Sequence, residues 1–157
     1  MFETSQQVYA DTSVFGGAFD DEFSTASHLF LKQVKSGRFH LILSPVIEKE
    51  IGNAPSKVRT LYQTISEYSE MLPLNDEALR LQESYINAGI VSPKWATDAL
   101  HVAHATVHNC RMIVSWNFRH IVHYDKIALY NAINIREGYS SIGIFSPQEV
   151  IDYEEKV

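Results

Sequence analysis

The sequence predicts an α/β protein, a Rossmann-like three-layer sandwich whose mainly parallel sheet of four or five strands is flanked by helices. Three observations predict it. Short apolar runs with strand composition alternate with helical stretches along the chain, the pattern of a mainly parallel sheet. The helical stretches are punctuated, opening on Ser-Pro, Asn or Pro and stopping on Gly. The apolar runs end on carboxylates, hydroxyls and amides, and in open parallel sheets sites form outside the carboxyl ends of strands.

The elements follow in order. Val8-Tyr9-Ala10 is a short strand that runs into Asp11, Thr12 and Ser13. Residues 24–36 carry Ala26, Leu29, Phe30 and Val34 at helical spacing, and Gly37 supplies the stop. Residues 39–44, FHLILS, form a second strand. Ser44 then caps a short helix with Pro45 in its first turn, ending at Gly52. Pro55 opens a helix through about residue 68, and residues 75–89 form an amphipathic helix between Asn75 and Gly89. Residues 92–109 read as one long, mostly apolar helix behind Ser92-Pro93. RMIVSW (111–116) is a third strand, residues 125–136 a helix, SIGIFS (141–146) a last strand, and Pro147 opens a short final helix.

Length and composition bound the function. A chain of 157 residues suggests one domain, 1–157, able to bury roughly two-thirds of the surface its unfolded form exposes. No apolar run approaches the roughly 20 residues of a membrane helix, so no membrane role is expected. The opening MFETSQQ lacks the basic and apolar regions of a secretory signal. The single cysteine, Cys110, cannot form an internal disulfide, which fits a reducing compartment. A cytoplasmic protein is therefore expected. The net charge of −6 argues against holding nucleic acid by bulk electrostatics. It leaves nucleic acid open as a substrate, because acids gathered around metal ions lower the formal charge without making the outer surface repulsive.

Acids stand near several strand ends. Asp11 follows the first strand, Glu48 and Glu50 sit on the helix after the second, and Asp98 lies on the otherwise apolar helix before the third. Singly, each has an ordinary reading: Asp11 as a turn cap, the glutamates as solvated helix charges, Asp98 as a partner of Lys94 one turn earlier. Together, three acids at one sheet edge would repel one another in an empty site, and a divalent cation removes that cost. Oxygen-only ligands suit Mg²⁺ or Mn²⁺. Such ions can activate a water and stabilise the leaving oxygen of a phosphodiester.

Four segments, VYADTSVFGG, LSPVIEKEI, ATDALHVAHA and IVSWNFRHI, occur in an order and at distances that resemble the PIN-domain nucleases, whose best-known bacterial members are the VapC-type toxins of toxin–antitoxin pairs. The resemblance covers nearly the whole chain. It implies that Asp11, Glu50 and Asp98 are the metal-binding acids, Glu50 rather than Glu48 because Ile51 follows it. The two glutamates point about 200° apart on an ideal helix, so only one can face the site. It also implies that Thr12 or Ser13 orients Asp11 or a metal-bound water, and that the protein is a Mg²⁺- or Mn²⁺-dependent hydrolase of RNA. Many relatives carry an aspartate at a fourth position where this chain has Asn117. That leaves open a catalytically weakened nucleic-acid-binding module, and the acids alone do not separate RNA from DNA.

The remaining candidates have two readings each. His101, His104 and His108 fall within about 60° of one another on an ideal helix, with Asp98 about 60° beyond His101. Their spacing is not that of a metalloprotease zinc site. His101 could position a phosphate, or the histidines could be bonded at a packing surface. Arg119 and His120 could contact substrate phosphates, or Arg119 could cap a helix end. Trp95 and Trp116 could stack on bases but are expected in the core. Residues 55–90 supply two helices beyond the minimal sheet. Leu61, Ile65, Leu72, Leu79 and Leu81 lie there, and the resemblance implies a clip gripping an antitoxin or a second subunit of a homodimer.

Overall fold

The computed structural model describes residues 6–153. Five strands form one sheet: β1 (Gln6–Ala10), β2 (Phe39–Leu43), β3 (Ser69–Met71), β4 (Met112–Val114) and β5 (Gly143–Phe145). All neighbours are parallel and the order is β3-β2-β1-β4-β5. The chain starts in the middle, steps outward through β2 to β3, then returns to the other side of β1 for β4. The switch point therefore lies between β1 and β4, where Ala10 pairs with Val114. Asp11 and Ser115 are the next residues on each strand, and the Asp11 amide donates to the Val114 carbonyl at 3.2 Å.

Val8, Tyr9 and Ala10 of β1, Leu41, Ile42 and Leu43 of β2, and Ile113 and Val114 of β4 are all buried, as central parallel strands covered on both faces must be. The helices are α1 (Thr12–Gly17), α2 (Ser24–Lys35), α3 (Pro45–Ile51), α4 (Ser56–Ser66), α5 (Asp76–Asn87), α6 (Ala96–Val107), α7 (Tyr124–Arg136) and α8 (Pro147–Val150). One group packs α1, α2, α4 and α8 together, with α3 against α1 and α4; the other packs α5 against α6 and α7. The result is a three-layer sandwich.

Three elements differ from the sequence reading. Residues 12–17 form helix α1, where the sequence suggests only a turn, because two glycines hide a six-residue helix. Residues 69–71, Ser-Glu-Met, form the edge strand β3, whose exposure leaves no apolar alternation to read. The expected helix over 92–109 begins with a 3₁₀ turn, Pro93–Trp95, and becomes α-helical only at Ala96. The punctuation elsewhere is as read. Ser44 accepts from the Ile47 amide at 3.2 Å, Asn75 accepts from the Ala78 amide at 2.9 Å, and Gly37 and Gly89 terminate helices at φ of 91° and 80°.

Residues 55–90 thus supply α4, β3 and α5. Ile65 and Leu81 belong to the core, Leu61 and Leu72 pack partly against it, and Leu79 is exposed. On α5, Tyr85 donates to Asn134 of α7 and meets Tyr130 edge-on with ring centres 4.8 Å apart. Trp116 is buried in the core, as expected.

One core group is costly. His104 of α6 is wholly buried against the Tyr9 ring, and neither ring nitrogen makes a hydrogen bond. Burial, reinforced by His108, lowers its pKa to about 4. The unfolded chain takes up a proton near 6.5 and the native ring only near 4, so this contribution is complete above 6.5 and is lost as pH falls. At about 1.4 kcal/mol per pH unit, the loss by pH 5 is about 2 kcal/mol. Urea unfolding of His104→Leu at pH 7 and pH 5 should show a correspondingly smaller acid sensitivity than wild type; an unchanged difference refutes the assignment.

Candidate active site

Asp11 caps α1 and lies at the switch point between β1 and β4. Its Oδ1 accepts from the Ser13 amide at 3.2 Å and the Ser13 hydroxyl at 2.6 Å, and its Oδ2 accepts from the Ser115 hydroxyl at 2.8 Å. The carboxylate is 4% exposed. Burial raises its pKa and Glu50 adds to the rise, while His101 and the hydroxyls of Ser13 and Ser115 pull the other way. Ser13 also accepts from the Trp116 amide at 2.8 Å, and Ser115 from the Asn117 amide at 2.8 Å, so α1 and the β4 exit are tied together around the acid.

Glu50, in the last turn of α3, faces this group. Its Oε1 accepts from the Thr12 hydroxyl and is 3.0 Å from His101 Nε2. Partial burial raises its pKa, but His101 and the Thr12 hydroxyl outweigh that and hold the carboxyl below its ordinary value. Glu48 is exposed on the other side of the helix.

Asp98 and Asn117 form an adjoining group with His120. Asp98 Oδ2 is 2.9 Å from His120 Nδ1, and Asn117 Oδ1 accepts from the His120 amide at 2.9 Å. The His120 ring lies on Trp95 at 4.4 Å between centres, and the Arg119 guanidinium is over the same indole at 5.5 Å. The direct contacts therefore divide the expected residues into two sets: Asp11, Thr12, Ser13, Glu50 and His101 in one, Asp98, Asn117 and His120 in the other. Arg119 is exposed beside the second set.

His101 does not meet the expectation of a phosphate contact. It is 2% exposed, with Nδ1 2.6 Å from the Tyr9 hydroxyl and Nε2 on Glu50. It lies beneath the acids, because residue 101 sits one turn after Asp98 on a helix covering the sheet. Tyr9, Ser44 and Ser115 also belong to the site. Ser115 lies within the run 111–116 read as the third strand and follows β4 only because that strand ends at Val114; nothing in the sequence separates Tyr9 from any other core aromatic.

Among the described residues, no three His, Cys, Asp or Glu side chains form a cluster that could hold a metal ion as they stand. Glu50 is turned to Thr12 and His101, and Asp98 to His120. The donors themselves are carboxylate oxygens, which suit Mg²⁺ or Mn²⁺. Among the described residues no Lys or Arg pairs with Asp11, Glu50 or Asp98. The site thus carries carboxylates without a fixed cation beside them.

Fold and site together define a doubly wound α/β protein with an acidic switch-point site. Among solved structures it is similar to a chain of the crystal structure of VapBC2 from Rickettsia felis bound to a DNA fragment from their promoter. The TM-score is 0.54 at 13% identity, over 73% of this chain and 90% of that one. At that identity the likeness shows a shared fold. No family model matches the sequence, and neither does any curated protein.

Proposed function

We propose that the protein is a Mg²⁺- or Mn²⁺-dependent endoribonuclease, the toxin of a toxin–antitoxin pair, acting in the cytoplasm as a homodimer and held by a cognate antitoxin. The observation that carries this reading is the Asp11 carboxylate, buried at the switch point between β1 and β4 with Glu50 beside it and no fixed cation to offset its charge. The sequence resemblance supplies the reaction class, and the fold shared with the VapBC2 chain agrees with it.

Asp11, Glu50 and Asp98 would hold the ion, with His101 kept on one oxygen of Glu50 and His120 on one oxygen of Asp98. A bound ion supplies an activated water and charge to offset the leaving oxygen. The chain's own residues do the positioning. Ser13 and Ser115 fix both oxygens of Asp11, Thr12 and His101 fix Glu50, and His120 holds Asp98 in place. Asn117 acts through its backbone turn, with its amide oxygen on the His120 amide. Arg119, exposed beside Trp95, would meet a substrate phosphate. The stretch 55–90 is the proposed clip, with Tyr68, Met71 and Leu79 its exposed large apolar residues.

The test is cleavage of single-stranded RNA with Mn²⁺, comparing wild type with Asp98→Asn purified identically. Wild type should cut and the variant should not. Equal activity in both assigns the cleavage to a contaminant and ends the reading.

A further inference from the structure

We infer that Tyr9 is a positioning residue of the site, acting through His101 to present an Nε2–H donor to Glu50 by way of one ordered hydrogen-bond chain. The inference builds on the proposed role of Glu50, but the chain itself is a matter of geometry. Ser44 Oγ and Tyr9 OH are 2.8 Å apart, Tyr9 OH and His101 Nδ1 are 2.6 Å apart, and His101 Nε2 and Glu50 Oε1 are 3.0 Å apart. Ser44 also accepts from the Ile47 amide as the cap of α3. The chain therefore leaves the first turn of α3, crosses β1 and α6, and returns to the last turn of α3 at Glu50.

The direction of every bond follows from one end. A glutamate carboxylate is an acceptor at neutral pH. It faces Nε2 at bonding distance, so Nε2 must carry a proton; a bare Nε2 would set two acceptors against each other. In the neutral ring Nδ1 is then the acceptor. A tyrosine hydroxyl carries its proton at neutral pH, so it donates to Nδ1. The Ser44 hydroxyl, already accepting from Ile47, donates to Tyr9. Each hydroxyl proton in the chain has one acceptor and none is spare. Tyr9 and His101 are 0% and 2% exposed, so water cannot replace a missing member.

Tyr9→Phe keeps the ring and deletes one oxygen, which separates positioning from packing. The measurement is ¹⁵N–¹H correlation of the histidine side chains in full-length, metal-free protein at pH 8, alongside calorimetric titration with Mn²⁺. In wild type, His101 should show the neutral Nε2–H pattern. In Tyr9→Phe that pattern should give way to mixed tautomers, and Mn²⁺ affinity should fall about tenfold, as for other groups that orient a ligand from behind. A hydroxyl that only stabilises the core leaves both readouts unchanged and overturns the inference. So does a wild-type ring carrying its proton on Nδ1 alone or on both nitrogens, which requires no variant to fold. If wild type binds no Mn²⁺, the metal reading fails while the tautomer readout still decides the role of Tyr9.

Discussion

Asp11→Asn should abolish Mn²⁺-dependent RNA cleavage and the thermal stabilisation that Mn²⁺ gives the wild type. Groups that only orient a metal ligand cost 10–100-fold when lost, so removing the ligand's charge should cost more than about 100-fold. The substitution preserves shape, and Ser13 and Ser115 can still bond an amide. The metal-free variant should therefore fold, and its stability carries a second signature. The native pKa of Asp11 is raised, chiefly by burial. A raised carboxyl contributes stability that is complete below its unfolded pKa and is lost as pH rises through the native one. Without metal, Asp11→Asn should gain on wild type between pH 4 and pH 7. With Mn²⁺ at pH 7 the order should reverse, because binding to the native state alone stabilises wild type by mass action. Calorimetric melts of both proteins with and without Mn²⁺ read all four states. A wild type that Mn²⁺ does not stabilise refutes Asp11 as a metal ligand.

Trp116→Ala should be the most destabilising single change near the site, costing about 3–5 kcal/mol, which is roughly 10 °C in melting temperature for a chain of this size. The indole stacks on Phe23 at 4.2 Å and donates to Ser27 Oγ at 2.8 Å, and Ser27 in turn donates to the Val14 carbonyl of α1. Trp116 thus seats α1 and α2 on the end of β4. It also explains Gly17, since a Cβ there would lie 2.7 Å from the indole. Gly17→Ala should cost about 1–3 kcal/mol by overpacking, and in Trp116→Ala that cost should vanish because the ring is gone. A double-mutant cycle by urea unfolding checks the coupling. Additive costs would mean that Gly17 and Trp116 do not meet.

The alternation of apolar runs and punctuated helices was enough to specify the α/β class, since a strand buried on both faces and a helix capped by Ser44 or Asn75 carry local signals. Asp11, Glu48, Glu50 and Asp98 were legible as candidates because each interrupts an apolar pattern or follows one, and the resemblance implied the set Asp11, Glu50 and Asp98. Helix geometry allowed only one of Glu48 and Glu50 to face the site, and the family resemblance, with Ile51 following, implied Glu50. What lay beyond the sequence depends on contacts between distant segments. Edge strand β3 is held by pairing with β2 and shows no apolar period of its own. Helix α1 depends on the Asp11 cap and on Gly17 lying against Trp116, a residue far along the chain. His101 reads as a helix-surface histidine at the site, yet packing against β1 turns it inward, with Tyr9 on one nitrogen and Glu50 on the other. The sequence by itself determined which acids are available and roughly where the strands end. Only the tertiary structure decided which side chains hold those acids, because the order β3-β2-β1-β4-β5 brings Ser115 to Asp11 and Tyr9 beneath Glu50, and no local pattern encodes a meeting of residues so far apart in the chain.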